Sequence, residues 1–145
     1  MKKTIISDTA LIPAFVLSAY SGIGLHTAGH YASHEIWHDW AVFHVLASTV
    51  FLALGIYHIT IHKNWYKGIF RNGLGKKSRI TLAVSILFIT VSVTGIILLG
   101  VEGANSGIGL WHYKIGLLAS IFSAIHITSR RKILFNALFH NLHKR

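Results

Sequence analysis

The chain contains no cysteine, one proline and only 4 Asp and Glu against 14 Lys and Arg. Without cysteine it cannot form disulfides, thiolate-ligated zinc or iron–sulfur clusters, or the covalent attachment of a c-type haem. Charged residues make up 12% of the chain and hydrophobic residues 52%. The formal net charge of +10 therefore does not describe a soluble basic domain that binds nucleic acid. The residue in surplus is histidine, which occurs 11 times.

Four long segments carry no charged side chain, between residues 8 and 35, 39 and 63, 79 and 102, and 114 and 130. About 20 apolar residues in a helix cross the hydrocarbon core of a bilayer. We therefore predict an all-α integral membrane four-helix bundle over residues 1–130, with helices at about 5–25, 40–61, 80–101 and 110–128. The start Met1-Lys2-Lys3 also suits a signal peptide, but the apolar segment is long for one and has no clear cleavage site.

The positive charges are distributed unevenly. Every Lys and Arg except Lys114 precedes predicted helix 1, lies between predicted helices 2 and 3, or follows predicted helix 4. By the positive-inside rule, both termini face the cytoplasm. This pattern predicts a multi-pass protein of the cytoplasmic (inner) membrane of a prokaryote, with attraction to anionic membrane lipid and no nucleic-acid partner. Residues 131–145 form a basic amphipathic tail, which we predict to be a cytoplasmic interfacial helix.

Each half of the chain carries a pair of histidines 14 residues apart, His44 with His58 and His112 with His126. Fourteen residues of α-helix make about four turns and rise about 21 Å, so both members of a pair share one face. Predicted helices 2 and 4 run in the same direction, which makes the chain two pseudo-repeated helical hairpins. His44 is then opposite His112 near the outer surface, and the other two histidines are opposite each other near the inner one. Iron in a porphyrin has two axial positions on opposite sides, which such pairs of imidazoles can fill.

Small side chains occupy the same helix faces as these histidines. Five of the six residues on these faces are small. The six are Ser48, Phe51 and Gly55 on predicted helix 2 and Gly116, Ala119 and Ser123 on predicted helix 4. They leave room for a bulky flat cofactor, although small residues also let membrane helices approach closely. Gly22 and Gly95, near the outer ends of predicted helices 1 and 3, have the same two interpretations, helix packing or space for the edge of a cofactor.

Two motifs surround the histidines of predicted helix 2, Trp40-x-x-x-His44 and Tyr57-His58-Ile59-x-x-His62-x-x-Trp65. With the chain length and the four helices, they resemble the flavinylation-associated cytochrome family, four-helix dihaem membrane cytochromes of the b type. The resemblance covers about residues 5–130.

The resemblance implies a ligand set and a function. His44 and His112 would ligate the iron of an outer haem b, and His58 and His126 that of an inner haem b. Electrons would cross the bilayer, with a quinone or quinol pool on one side and an extracytoplasmic flavoprotein or other redox partner on the other. Such a chain is an electron-transfer cytochrome, with or without quinone oxidoreductase activity of its own.

Other polar residues leave alternatives open. His62 lies 18 residues, or about five turns, after His44 and so shares its face, but only His58 matches the 14-residue spacing of the other helix. Asp8, near the start of predicted helix 1, is expected to pair with a nearby Lys.

A second group of histidines precedes predicted helix 2. His26, His30, His34 and His38 recur at four-residue intervals beside two acidic residues. If the segment is helical, they form a stripe that can bind an additional transition-metal ion at the outer loop. The alternative is a hydrated interfacial segment without a metal.

Two further functions fit the composition. The chain can be the membrane-anchor cytochrome subunit of a larger oxidoreductase, or a non-redox transporter that binds metal ions through histidine. Transporters usually place an acidic residue near the midplane. Here all 4 acidic residues lie near predicted helix ends, which disfavours transport.

Overall fold

The computed structural model describes residues 2–101 and 106–142, and within these ranges the chain forms five helices and no strand. They are α1 (Lys2–Tyr31), α2 (His34–Ile61), α3 (Lys63–Asn72), α4 (Lys76–Leu98) and α5 (Gly107–Leu142). Four of them, all except α3, contain segments long and apolar enough to cross a membrane. The protein is therefore all-helical, and its four long helices are compatible with the predicted multi-pass membrane bundle.

The helix boundaries differ from the prediction at most helix ends: α2 begins at His34 instead of about residue 40, and α4 begins and ends earlier than predicted, at Lys76 and Leu98. α1 continues to Tyr31, and the short helix α3 occupies part of the basic connection between two spans. α5 runs unbroken to Leu142, so within the described residues the tail is not a separate interfacial helix. No glycine or proline occurs after Gly116 to end or kink α5. The predictions that concern residues 102–105 and 143–145 lie outside the described residues.

α1 carries a line of small buried residues at every seventh position. Ser7, Ala14, Ser21 and Ala28 are 2%, 8%, 0% and 6% exposed. Seven residues make nearly two turns, so these side chains follow one another along the same face of the helix. Small residues let helix backbones approach closely, which membrane helices need in order to pack. α1 packs along α2 and also contacts α5, while α4 packs along α5.

Large apolar side chains cover the outside of the bundle. Ile6, Leu46 and Ile121 are 67%, 62% and 58% exposed, and many other large apolar side chains are similarly exposed. A soluble monomer rarely exposes a continuous apolar surface of this extent. Lipid chains are the environment that such a surface fits.

The connection between α1 and α2 is short and capped. α1 ends at Tyr31, and the Oγ of Ser33 accepts a hydrogen bond of 3.5 Å from the backbone N–H of Ile36 at the start of α2. A serine before a helix satisfies one of the free N–H groups of its first turn. The connection therefore turns the chain back, and α2 runs antiparallel to α1.

Candidate functional site

His44 on α2 and His112 on α5 bring their rings together. Their ring centroids are 6.1 Å apart, with an angle of 71° between the planes, and both residues are half-buried. Metal–imidazole bonds measure about 2 Å, so one metal atom between two facing imidazoles places their centroids about 6 Å apart. The observed separation fits an axial pair of ligands on one metal.

Hydroxyl groups on the neighbouring helices contact the Nδ1 atoms of both rings. Ser21 Oγ on α1 lies 3.1 Å from Nδ1 of His44, and Thr94 Oγ1 on α4 lies 3.0 Å from Nδ1 of His112. Ser48 Oγ is also 3.4 Å from Nδ1 of His44.

The hydrogen bonds of these hydroxyls set the tautomer of the rings. Ser21 donates its single proton to the carbonyl oxygen of Ser18, and Thr94 donates its proton to carbonyl oxygens of its own helix. While the hydroxyl proton is used in this way, each hydroxyl oxygen can accept a hydrogen bond from an imidazole Nδ1–H. Protonation at Nδ1 leaves the Nε2 lone pair of each ring free, which is the form that ligates a metal.

Gly22 and Gly95 lie directly against these two rings. A Cβ atom at Gly22 would be 3.0 Å from Cε1 of His44, and one at Gly95 would be 3.1 Å from Cε1 of His112. A larger side chain at either position would displace the imidazole. The two glycines therefore make room for the ring itself.

A second histidine level lies towards the other end of α2. Nδ1 of His58 is 3.0 Å from Oδ1 of Asp8 on α1, and both atoms are buried without a hydrogen bond of acceptable geometry. The contact is therefore electrostatic. The prediction that Asp8 pairs with a Lys is wrong within the described residues, because antiparallel packing of α1 on α2 places its carboxylate beside His58.

His62 joins this group one turn after His58, with the two ring centroids 4.6 Å apart. Ligand atoms of Asp8, His58 and His62 all lie within 4.8 Å of one another, close enough to hold a metal ion. The pKa of His62 is lowered mainly by partial burial and next by the neighbouring His58. Asp8 raises this pKa, and Arg130 lowers it further. The lowered pKa favours the neutral imidazole, which has a lone pair for a metal.

His126 on α5 completes this level. Its Nδ1 lies 3.4 Å from Thr81 Oγ1 on α4. It also interacts electrostatically with Arg130, His58, Asp8 and His62. All five histidine, carboxylate and guanidinium groups thus gather at the end of the bundle where α1 begins.

The small residues predicted beside the cofactor contact the adjacent helices. Ser48 Oγ lies 2.8 Å from Ser18 Oγ on α1. Gly55 is buried, and a Cβ atom there would clash with the ring of Phe88 on α4. A Cβ atom at Gly116 would meet Cγ2 of Val91 on α4 at 3.8 Å, and Ser123 is half-buried.

Aromatic rings lie on α1, α2 and α4 between the two histidine levels. The ring centroid of Phe51 is 6.0 Å from that of Phe15 and 5.5 Å from that of Phe88. The sequence places Phe51 on the ligand face of α2, but it does not identify the two partner rings. The three half-buried rings form an apolar contact that joins α1, α2 and α4.

The four outer histidines do not form one stripe. His26 and His30 belong to α1, whereas His34 and His38 belong to α2, because the helix is interrupted before Ser33. The ring of His26 stacks on that of Tyr113 at 3.6 Å and lies 4.8 Å from that of His30. Among the described residues, three or more metal-ligating side chains gather only at Asp8, His58 and His62.

The residues that contact the Nδ1 atoms were missed by the sequence reasoning. Asp8 and Ser21 are 13 residues apart on α1, and Thr81 and Thr94 are 13 residues apart on α4. Each of these helices precedes a helix that carries two histidines 14 residues apart. Matched spacing of polar residues on the preceding helix is the signal that could have found them.

Comparison with known proteins does not assign this chain to a family. No protein-family model, curated protein or solved structure matches this chain.

Proposed function

We propose that this chain is a dihaem b-type membrane cytochrome that transfers electrons across the bilayer. The observation that carries the proposal is the facing pair His44 and His112, 6.1 Å apart between ring centroids, with both Nδ1 atoms engaged by hydroxyls. These two histidines hold one haem b, and His58 and His126 hold the other. The family that this arrangement resembles, the flavinylation-associated cytochromes, is part of the same proposal.

The proposal includes the two hairpins as a pseudo-repeat. It is supported by the equal spacing of the Nδ1 partners, 13 residues on both α1 and α4. We place both termini in the cytoplasm, in the inner membrane of a prokaryote, because the Lys and Arg residues gather on that side. The His44–His112 level is then the outer one and the His58–His126 level the inner one.

The protein's own residues hold and insulate the two centres. Haem b, when bound, supplies a one-electron couple at each level. The hydroxyls of Ser21 and Thr94 fix the tautomer of the outer ligands. Phe51 and its two partner rings keep the space between the levels apolar and exclude water from it.

The electron donor and acceptor are proposed by chemical class. A quinol on one side is oxidised to the quinone and gives up two electrons and two protons. The electrons cross singly, and a flavin of an extracytoplasmic partner takes up two electrons and two protons. In a membrane-anchor role within a larger oxidoreductase, another subunit replaces one of these reactants.

A reduced-minus-oxidised absorption spectrum and pyridine haemochrome quantification test the proposal. We expect two b-type haems per chain in the purified protein. His112→Ala should lose one haem and His126→Ala the other, while His34→Ala, at an exposed position, should keep both. Absence of haem in protein made with ample haem supply, or two haems in either ligand variant, would overturn the proposal.

A second candidate is binding of a transition-metal ion without porphyrin, as in a metal transporter or sensor. It is favoured by the cluster of Asp8, His58 and His62, since two imidazoles and a carboxylate suit zinc, cobalt or iron. Elemental analysis distinguishes the two functions. One equivalent of non-haem metal that is lost in His62→Ala, with no haem present, would favour the metal-ion function.

A further inference from the structure

The two histidine levels differ in the charge of the groups that contact Nδ1. At the outer level both partners are neutral hydroxyls, those of Ser21 and Thr94. At the inner level His126 has the hydroxyl of Thr81, but His58 has the carboxylate of Asp8 at 3.0 Å. The four groups that contact Nδ1 have the same 13-residue spacing on α1 and on α4. The carboxylate therefore distinguishes two otherwise similar sites.

A carboxylate beside a metal-bound imidazole makes the ligand a stronger electron donor. It stabilises the oxidised metal, which carries one more positive charge than the reduced metal. The Oδ1 atom of Asp8 and the Nδ1 atom of His58 are both buried, so water screens their interaction poorly. A hydroxyl carries no net charge and has a much weaker effect of this kind.

Arg130 is the opposing charge at this level. It interacts with His126 and His62, and a positive charge near the centre favours the reduced metal. Arg130 is half-buried at the end of the apolar part of α5, and it acts on His126 more strongly than Asp8 does. At His62 this order is reversed. Asp8 is the charged side chain in direct contact with the ring of His58, so we expect the carboxylate to have the larger effect on this centre.

We propose, resting on the function proposed above, that Asp8 gives the His58–His126 centre a lower reduction potential than the His44–His112 centre. Transfer of an electron from the inner centre to the outer centre would then be downhill. This order agrees with the direction proposed above, from a quinol to an extracytoplasmic flavin, and it puts oxidation of the quinol at the cytoplasmic side. Asp8 is then the residue that sets the order of the two potentials.

The experiment is a potentiometric titration of the purified full-length protein, followed by haem absorbance. His112→Ala, which keeps the inner centre, should show a lower midpoint potential than His126→Ala, which keeps the outer one. In Asp8→Asn, we expect the lower of the two midpoints to rise by at least about 59 mV, a tenfold change in a one-electron equilibrium, with the higher midpoint unchanged. Asp8→Thr, which copies the residue at position 81, should do the same.

Arg130→Gln is the matched variant of opposite sign and should move the same midpoint downwards. A purely structural role of Asp8 would not produce opposite shifts from removal of opposite charges. The inference is overturned if the inner centre has the higher midpoint, or if both midpoints respond equally to Asp8→Asn. If Asp8→Asn binds a single haem, Asp8→Thr and Arg130→Gln decide, and an unchanged lower midpoint in them overturns the inference.

The two proposals fail in different ways. Failure of the proposed function appears as wild-type protein without two haems. Failure of this inference appears as wild-type protein with two haems whose midpoints are in the reverse order or do not depend on Asp8.

Discussion

The hydroxyl oxygen of Thr94 lies 3.0 Å from Nδ1 of His112, and the same hydroxyl donates to carbonyl oxygens of α4, which leaves its oxygen to accept a hydrogen bond from Nδ1–H. The ring is thereby fixed in the tautomer that presents Nε2. In Thr94→Val, a variant of the same shape, the imidazole loses this partner. We expect haem affinity at that centre to fall about 10–100-fold, as is typical when the hydrogen-bond partner of a metal ligand is removed. Titration of haem into the apoprotein measures the change.

Thr90→Val is the matched control for Thr94→Val. Thr90 lies one turn earlier on the same helix, is exposed, and donates its hydroxyl proton to the carbonyl oxygen of Ile86. Its replacement should leave both haem affinities unchanged. Equal losses in the two variants would indicate a general effect on α4 and contradict the role given to Thr94.

Gly22→Ala tests the space reserved for the ring of His44. A Cβ atom at this position would be 3.0 Å from Cε1 of the imidazole, so the ring must move by a few tenths of an ångström. We expect a changed absorption band and about a tenfold loss of affinity at the outer centre. Gly68→Ala is the control, since a Cβ atom there has no neighbour within 4 Å. Unchanged binding in Gly22→Ala would show that this close contact does not position the ligand.

Ala14→Leu tests the line of small buried residues on α1. Ala14 is 8% exposed, and a larger side chain there forces α1 away from its neighbours. Overpacking of this kind costs about 1–3 kcal/mol. Thermal unfolding in detergent, followed by circular dichroism, should show a lower Tm. Val16→Leu, at a position 54% exposed, should leave the Tm unchanged, and equal Tm values for the two variants would contradict this packing.

The absence of cysteine allows a direct test of orientation, because any introduced thiol is the only one in the chain. Tyr31, at the end of α1, is 89% exposed, and Arg71 on α3 is also exposed. A membrane-impermeant thiol reagent should label Tyr31→Cys in cells whose outer membrane is permeabilised and whose inner membrane is intact. Arg71→Cys should be labelled after the inner membrane is permeabilised. The reverse pattern would invert the proposed orientation and the assignment of inner and outer centres.

The apolar spans were predictable because a bilayer imposes a minimum length on them. Segments without charge identified four long helices, and α2 ends at Ile61 as expected. α3 was missed because its Lys and Arg residues were interpreted as an orientation signal, although basic residues also suit an amphipathic helix at a membrane surface. The interruption before Ser33 was missed because the four-residue spacing of the histidines continues across it.

The facing of His44 and His112 was predictable from the sequence, and the surroundings of the histidines were not. The spacing of the histidines depends on one helix at a time, so helical geometry is sufficient to find it. The contact of Asp8 with His58 depends on the register between α1 and α2, which a single sequence does not specify. The same register turns Ser48 towards α1 and Gly55 towards Phe88, instead of towards a shared central space.

α5 is 36 residues long, and a straight helix of that length measures about 54 Å, against about 30 Å for the hydrocarbon core of a bilayer. Its apolar segment ends at Lys132, so the last turns extend beyond the lipid as a stiff arm. Without glycine or proline after Gly116, nothing in the arm acts as a hinge. His126 and this arm therefore belong to one continuous helix, and a change in the tilt of the arm would change the orientation of the backbone that carries His126.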